Sequence, residues 1–358
     1  MSQQANSALS QEKMEAFVGQ VVSDIAASMS GVMTKIGHSL GLYKKLAENG
    51  PLGAAELAAQ SGTSPRYILE WLNNQAAGGY VNYDPVSGKY ALPAEHVPVL
   101  ADEESPVFLA GSLGGLTAIY KIEQRLAEAF KSGRGIGWHE HDESLFYATE
   151  YLFRTGYKAH LVSEWIPALT GVDAKLKAGG TVADVGCGHG ASSIIMARHY
   201  PESTFVGFDY HPASIEVARK RAREAGLEDR VRFEVASAKD YPGTNYDLIC
   251  FMDCLHDLGD PLGAARHAFQ AVAEEGSILL VEPRAGERIE QNLNPVGRLF
   301  YAASTAFCTP NSLSQEVGSA IGAQAEEGRY ADIMFQAGFR RFRRAAETPF
   351  NRIFEARK

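Results

Sequence analysis

The spacing of apolar residues differs between the two halves of the chain. From residue 14 to residue 36, apolar side chains recur every three or four positions, which is the period of one face of a long helix. Beyond residue 180, short apolar runs end in glycine or acidic residues and alternate with helical stretches. The pattern predicts a mainly helical N-terminal region followed by an α/β region.

The N-terminal region has the element order of a winged helix. A short helix is predicted over residues 54–60, and a second runs from Ser64 to the glycine pair at 78–79. Residues 80–83 and 89–92, separated by a turn with proline and glycine, predict a hairpin. The long apolar stripe before these elements either packs into the core of its own chain or forms the seam of a homodimer.

The charge of this winged helix argues against DNA binding. Residues 39–100 carry four basic side chains against five acidic ones, and the second helix of the motif offers Arg66 beside Glu70. A DNA-binding helix normally presents several cations to the phosphates. We therefore expect a dimerisation or substrate-lid role, with no nucleic acid as partner.

The second half alternates predicted strands and helices, which indicates a parallel sheet with helices on both faces. The strands are predicted over residues 182–185, 203–209, 231–235, 246–252 and 277–281, with a terminal pair over 339–345 and 350–356. We divide the chain into a winged-helix domain (1–104), connecting helices over the active site (105–170) and a cofactor-binding domain (171–358).

The strand at residues 182–185 leads directly into a glycine-rich turn and a new helix. Gly186, Gly188 and Gly190 let the backbone turn sharply and approach a ligand that a Cβ would repel. Asp209 ends the next strand about 20 residues later, where a carboxylate can accept both hydroxyls of a ribose. This spacing predicts a nucleotide-cofactor site.

Two cofactors fit this geometry. The glycines satisfy the dinucleotide pattern G-x-G-x-x-A, so a nicotinamide oxidoreductase is one alternative. Asp184, two residues before the first glycine, suits the ammonium group of S-adenosylmethionine and would repel a pyrophosphate. No lysine or arginine precedes Arg198 in the loop or at the start of its helix. These observations favour S-adenosylmethionine.

The stretch from Asp184 to Gly190 resembles the first motif of class I methyltransferases, and Asp209 matches the ribose-binding acid of that family. The resemblance implies a Rossmann-like class I methyltransferase sheet, parallel with one antiparallel terminal strand, behind an N-terminal mainly helical winged-helix domain. It also implies S-adenosyl-L-methionine as cofactor. Ser237 departs from the family, which usually has an acid there for the adenine amino group; Asp240 is the alternative for that role.

The cofactor-binding residues that the resemblance implies lie in the glycine loop, at the ends of the following strands and just before the domain. They are Asp184, Gly186, Cys187, Gly188, Gly190, Asp209, Tyr210, Ala236, Ser237, Ala238, Met252, Asp253, Tyr157 and Arg154. Arg154 would suit the methionine carboxylate, because related enzymes bring a helix over that anion at this point of the chain.

A histidine follows the fourth strand of the predicted sheet, at its carboxyl edge. The segment Leu255-His256-Asp257 resembles the L-H-D element of plant-type small-molecule O-methyltransferases, which also carry an N-terminal winged-helix dimerisation domain. In that family the matching histidine is the general base. An imidazole is basic enough near neutral pH to remove a proton from a hydroxyl.

A carboxylate is expected to orient the ring of His256. If the turn is helical, Asp253 and Asp260 lie on the face of His256 and Asp257 points elsewhere. Glu282, at the end of the fifth strand, is the other candidate. The predicted catalytic set is His256, Asp257 and Glu282.

Composition narrows the remaining possibilities. A chain of 358 residues with 45% apolar residues is long enough for two domains with ordinary cores. It has no uninterrupted apolar run of 18 residues, which predicts a cytoplasmic protein without a membrane segment. Its four cysteines form no C-x-x-C pair, so neither disulfides nor a zinc site are expected. A net charge of −9 disfavours nucleic acids and anionic membranes as partners.

The motifs, together with the resemblance to small-molecule O-methyltransferases, imply a homodimeric enzyme that transfers a methyl group to a small-molecule acceptor, at a hydroxyl oxygen. Two alternatives stay open: a ligand-sensing winged-helix transcriptional regulator with a methyltransferase-like domain, and an NAD(P)-dependent oxidoreductase. His139 and His141 have H-x-H spacing, but without a third defined ligand they predict a loop or pocket rim rather than a metal site.

Overall fold

The computed structural model describes residues 9–358. The chain divides after Thr117 into two compact units. The boundaries expected at residues 104 and 170 do not coincide with this division and stay predictions.

In the first unit, helices and a hairpin follow in the predicted winged-helix order. The helices are α1 (Gln11–Ser39), α2 (Leu42–Asn49), α3 (Ala54–Ser61), α4 (Pro65–Ala77) and α5 (Val97–Leu100). Strands β1 (Asn82–Asp84) and β2 (Lys89–Ala91) pair antiparallel. Pro65 is the first residue of α4. Backbone N–H groups in the first turn of a helix have no acceptor within the helix, so proline, which has no N–H, is tolerated at this position. The predicted N-terminal fold is confirmed.

Helix α1 packs at its C-terminal end and is exposed over most of its length. Trp71 of α4 donates its Nε1–H to the carbonyl of Met33 at 2.9 Å, and a Cβ on Gly37 would collide with the indole ring. Toward the N-terminus the apolar stripe is open, with Phe17 63% and Met29 69% exposed. This part of the stripe does not belong to the core of its own unit.

By length and composition alone, α1 could also cross a membrane. Its most apolar 18-residue window has a mean hydropathy of 1.3 and is 6% buried. The helix contains no uninterrupted apolar run of that length, because glycine, serine and other polar residues separate its larger apolar side chains. One such helix near an N-terminus is a weak indication, since core helices and signal sequences meet the same criteria.

Helix α6 (Gly114–Ser132) spans the division, and the second unit adds eight helices within the described residues. They are α7 (Glu143–Gly156), α8 (Val172–Ala178), α9 (Ala191–His199), α10 (Pro212–Glu224), α11 (Pro261–Ala271), α12 (Pro295–Ala303), α13 (Thr309–Ser314) and α14 (Glu327–Ala337). Segments Tyr157–Trp165 and Ser304–Cys308 are π-helical. Short π-helical stretches of this kind are frequent at functional sites.

Within residues 118–358, seven strands form one sheet. They are β3 (Thr181–Val185), β4 (Thr204–Asp209), β5 (Val231–Val235), β6 (Tyr246–Met252), β7 (Val272–Pro283), β8 (Arg341–Glu347) and β9 (Asn351–Arg357). Their spatial order is β5-β4-β3-β6-β7-β9-β8. Strands β3 to β7 are parallel, and β9 runs antiparallel to both of its neighbours. The predicted sheet is confirmed, including its antiparallel terminal strand.

Both faces of the sheet are buried. Along β6, Leu248 and Cys250 belong to one hydrophobic core, whereas Ile249 and Phe251 belong to the other. Alternate side chains of a strand point to opposite faces, so a strand covered by helices on both sides must be apolar throughout. Because β3 to β6 are parallel, their carboxyl ends meet at one edge of the sheet, where the ligand crevice of such folds lies.

Candidate active site

A cavity of about 300 Å³ opens at the carboxyl ends of β3 to β6. A volume of this size is at the lower end for pockets that hold small molecules. Twelve of the predicted site residues line it: Tyr157, Gly186, Cys187, Gly188, Asp209, Tyr210, Ala236, Ser237, Ala238, Met252, Asp253 and Asp257. Five of them do not line it: Arg154, Asp184, Gly190, His256 and Glu282. The fold thus brings together segments that are far apart in the sequence.

The glycine loop is held in a conformation that other residues rarely adopt. Gly188 and Gly190 have φ angles of 51° and 78°. A Cβ on Gly188 would meet open space, whereas one on Gly190 would collide with the ring of Phe233. Gly188 therefore leaves room on the cavity side of the loop, and Gly190 allows the loop to pack closely on the sheet.

Asp209 lines the cavity and fixes the loop at the same time. Its Oδ2 accepts a hydrogen bond from the Gly188 amide at 2.9 Å, and its Oδ1 accepts one from the His211 amide at 2.8 Å. Burial raises the pKa of this carboxyl, and the two amide hydrogen bonds oppose the shift. A carboxylate has about four lone-pair sites, so each oxygen retains capacity for a ligand hydroxyl.

Asp184 lies beneath the loop rather than in the cavity. Its side chain is fully buried, and its Oδ2 accepts hydrogen bonds from the hydroxyls of Ser192 and Ser193, both at 2.6 Å. Burial raises the pKa of its carboxyl. In this structure Asp184 braces the N-terminus of α9, and its predicted contact with a cofactor ammonium stays a prediction.

Arg154 is engaged by an acidic residue of its own helix. Its guanidinium lies 3.3 Å from Glu150 Oε1 and 4.8 Å from the centre of the Tyr151 ring. Glu150 also contacts Arg221 at 2.5 Å and His189 of the glycine loop at 2.9 Å. Glu150 thereby ties α7 to the loop. In this structure the guanidinium of Arg154 contacts Glu150. Its predicted contact with the methionine carboxylate of the cofactor stays a prediction.

His256 sits in a 3₁₀ turn, Leu255–Asp257, immediately behind the cavity wall. Its Nδ1 lies 2.5 Å from Glu282 Oε2, and its Nε2 lies 3.3 Å from Asp257 Oδ1. The ring is 3% exposed, while Asp257 lines the cavity. Of this pair, Asp257 is the residue that a ligand in the cavity meets.

The expected directions of the acidic residues around His256 are partly wrong. A helical turn would point Asp257 away from the ring, but a 3₁₀ turn winds more tightly than an α-helix and places it against Nε2. Asp260 instead caps α11 by accepting a hydrogen bond from the Gly263 amide at 2.8 Å. Glu282, the other candidate, is the carboxylate on Nδ1.

Electrostatics favour the protonated form of His256. Burial lowers the pKa of its imidazole, but the carboxylates of Asp257 and Glu282 outweigh this effect and raise it well above its usual value. A proton that arrives on Nε2 is therefore strongly stabilised. Because its pKa is raised, the imidazolium of His256 must lose a proton before the ring can act as a base.

Two residues that were not predicted from the sequence donate hydrogen bonds to the acidic residues near His256. The hydroxyl of Tyr330 donates to Glu282 Oε2 at 3.0 Å. Asn351 of β9 donates from Nδ2 to Asp253 Oδ1 at 2.6 Å, and Asp253 has a positive φ of 53° at the end of β6. No local signal marks either residue, because each contact joins positions more than 45 apart in the chain.

Comparison with protein families identifies both units. Residues 176–330 match the model of a methyltransferase domain, and residues 28–102 match that of an Rv2258c-like winged helix-turn-helix domain.

Several curated relatives match part of the chain. The 27-O-demethylrifamycin SV methyltransferase of Amycolatopsis mediterranei is 31% identical over 34% of this chain and 48% of its own length. The ajmaline N-methyltransferase of Rauvolfia serpentina is 29% identical over 48% of this chain and 63% of its own length. The chain thus spans less than two thirds of the length of these curated relatives.

The structural match is longer. The crystal structure of human N-acetylserotonin methyltransferase in complex with S-adenosylmethionine aligns with 99% of this chain and 99% of its own, with a TM-score of 0.71 and 20% identity. At this identity the likeness establishes the fold, including the Rossmann-like class I methyltransferase sheet. The chain therefore carries a domain of the methyltransferase-domain family over residues 176–330 and an Rv2258c-like winged helix-turn-helix domain over residues 28–102.

Proposed function

We propose that this protein transfers a methyl group from S-adenosyl-L-methionine to a hydroxyl oxygen of a small-molecule acceptor, with His256 as general base. The observation that carries the proposal is the placement of the Asp209 carboxylate and the glycine loop on one cavity with Asp257, which contacts the buried His256–Glu282 pair. The residues that we assign to the cofactor thus lie next to the residues that we assign to proton transfer.

The cavity residues fit this cofactor better than a dinucleotide. Asp209 offers a carboxylate to a ribose, and Gly188 leaves room for a ligand beside it. Among the lysines and arginines of residues 9–358, Lys239 lines the cavity, and it already pairs with Glu316 at 2.9 Å and Asp260 at 3.6 Å. A pyrophosphate would find no unpaired cation there. When bound, S-adenosylmethionine supplies a methyl group that is already activated for displacement.

The protein's task is then to remove the acceptor proton and to exclude water. Glu282 holds Nδ1 of His256, so Nε2 is the nitrogen that faces the cavity wall. Transfer of the acceptor proton toward Nε2 produces an imidazolium between two carboxylates, the arrangement that the raised pKa of His256 favours. Trp138, Phe146, Phe153 and Tyr157 provide an apolar lining that suits a lipophilic acceptor.

We expect calorimetry to detect binding of S-adenosylmethionine or S-adenosylhomocysteine at micromolar affinity, and no binding of NAD or NADP under the same conditions. The reason is the pairing of Lys239 and the acidic lining of the cavity, which disfavour a pyrophosphate. Tight binding of NAD without heat from S-adenosylhomocysteine would overturn the methyltransferase proposal.

We also propose that the protein is a cytoplasmic homodimer that uses the exposed stripe of α1 as its seam. A contiguous exposed apolar surface on a protein usually marks an interaction site. The stripe continues from the end of α1 that packs on Trp71, and the winged helix has too few free cations for a nucleic acid.

Placing charges in the stripe is expected to break the dimer. The double variant Phe17→Glu, Val21→Glu changes two positions that lie one helical turn apart on α1. A dimer of this variant would have to bury four carboxylates against apolar side chains at the seam. Light scattering should give a dimer for the unchanged protein and a monomer for the variant. Val86→Glu, at a hairpin position that is 94% exposed, is the matched control and should stay dimeric. A monomeric unchanged protein would rule the seam out.

A further inference from the structure

Three side chains with different donor atoms converge next to the proposed base. Ligand atoms of His256, Asp257 and Cys308 all lie within 4.8 Å of one another. His256 Nε2 and Asp257 Oδ1 are 3.3 Å apart. Cys308 ends the π-helical segment Ser304–Cys308, so its thiol reaches the ring from an element distant in sequence. The sequence does not predict a metal site here, because these three residues have no recognisable ligand spacing.

The donor set and its surroundings have the chemistry of a transition-metal site. A nitrogen, a thiolate and a carboxylate about 2.0–2.3 Å from a Zn²⁺ ion form three corners of a tetrahedron with the fourth open. The separation of Nε2 and Oδ1 is compatible with two such corners. Metal-bound histidines usually donate their other ring N–H to a carboxylate, and Glu282 occupies that position on Nδ1.

An unsatisfied acceptor points to the same place. Asp257 Oδ1 is buried and makes no hydrogen bond, although it lies close to the ring. Asp253 and Glu282 add further buried carboxyl groups nearby. A buried carboxylate oxygen without a hydrogen bond is costly, and a cation bound at Asp257 Oδ1 would remove that cost.

We propose that His256 Nε2, Asp257 and Cys308 Sγ bind a thiophilic divalent cation such as Zn²⁺, and that the bound ion blocks methyl transfer. On binding, the Cys308 thiol and the His256 ring each release the proton on the ligating atom to solvent, and metal–sulfur and metal–nitrogen bonds form. No electrons are exchanged. The lone pair on Nε2 is then committed to the metal and cannot accept the acceptor proton.

Because the Cys308 thiol and the His256 ring must each lose a proton to bind the metal, the affinity for the metal should rise with pH. Binding itself does not depend on the proposed function, whereas inhibition rests on His256 being the base.

Titration of the full chain with Co²⁺ tests the site, because a cobalt–thiolate bond gives an ultraviolet charge-transfer band. We expect the band in the unchanged protein and its loss in Cys308→Ala. The affinity for Co²⁺ should fall by roughly 100-fold or more, because loss of a residue that only hydrogen-bonds a metal ligand already costs about 10–100-fold. Cys254→Ala is the matched control: this thiol, whose Sγ lies 3.1 Å from the Val185 carbonyl, is outside the cluster, and the band should persist.

A second variant keeps the test informative if Cys308→Ala folds poorly. Asp257→Asn retains the size of the side chain and should also weaken Co²⁺ binding while circular dichroism stays unchanged. In activity assays, Zn²⁺ should inhibit the unchanged protein, and Cys308→Ala should resist that inhibition at least tenfold when each rate is compared with the same variant's own metal-free rate. A charge-transfer band that survives Cys308→Ala, or no band in the unchanged protein, would overturn the site. Binding without inhibition would retain the site and count against the inhibitory role and the base together.

Discussion

Replacing His256 with glutamine is expected to lower the rate of methyl transfer by roughly 10²–10⁴-fold, the usual range for loss of a general base. Glutamine can retain a hydrogen bond to Glu282 but cannot take up a proton. Because His256 lies behind the cavity wall and does not line it, affinity for S-adenosylhomocysteine should change by no more than a few-fold. Rates with a labelled methyl donor and calorimetry on the same preparation separate the two effects.

The matched control for this variant is His267→Gln. His267 is another partly buried histidine of the same unit, and its Nε2 bonds the Tyr241 carbonyl at 2.8 Å, away from the cavity lining. Its replacement tests the general cost of removing an imidazole and should leave the rate nearly unchanged. An unaltered rate in His256→Gln at saturating acceptor would exclude the base and direct attention to Asp257.

The pH profile adds an independent readout. An imidazole must be neutral to accept a proton, and the carboxylates of Asp257 and Glu282 raise the pKa of His256 well above its usual value despite burial. The rate should therefore still be rising with pH above neutrality and level off only above the raised pKa. Asp257→Asn removes one of these charges, so its rise should move to lower pH.

Replacing Asp209 with alanine is expected to weaken binding of S-adenosylhomocysteine by roughly 10- to 150-fold, from about 1.5–3 kcal/mol for lost charge-assisted hydrogen bonds. The carboxylate is placed to accept ribose hydroxyls and also holds the Gly188 amide. Asp209→Asn, which keeps one acceptor oxygen, should give a smaller loss. The exposed Asp229→Ala serves as control for a removed charge. Equal affinity in Asp209→Ala would contradict its assignment to the cofactor.

The parts of the site that are encoded locally could be predicted from the sequence. The strand, the glycine turn and Asp209 form one βα unit, and glycines at 188 and 190 indicate positive φ angles because residues with a Cβ rarely adopt them. The alternation of apolar and helical segments likewise predicts the parallel sheet, since strands buried on both faces form continuous apolar runs that can be recognised directly.

The contacts that span the chain could not be predicted in this way. The positions of Asp184 and Arg154 in the sequence suggest contact with the cofactor. In the structure, Asp184 instead accepts hydrogen bonds from Ser192 and Ser193. Arg154 instead forms an ion pair with Glu150. A sequence states which side chains are polar but not which partner comes nearest once helices pack. The contact of Cys308 with His256 likewise depends on how the π-helical segment Ser304–Cys308 packs against the turn that holds His256.

The position of β9 in the sheet has a consequence for how the protein matures in the cell. This strand lies between β7 and β8, and its first residue, Asn351, bonds the carboxyl of Asp253 at the end of β6. Chains emerge from the ribosome N-terminus first, and domains fold as units. The glycine loop and the His256 turn are therefore synthesised long before the strand that completes their sheet. A ribosome that stalls after it has incorporated Glu282 but before it reaches Asn351 would release a chain that contains all of the proposed catalytic residues and still lacks a finished site.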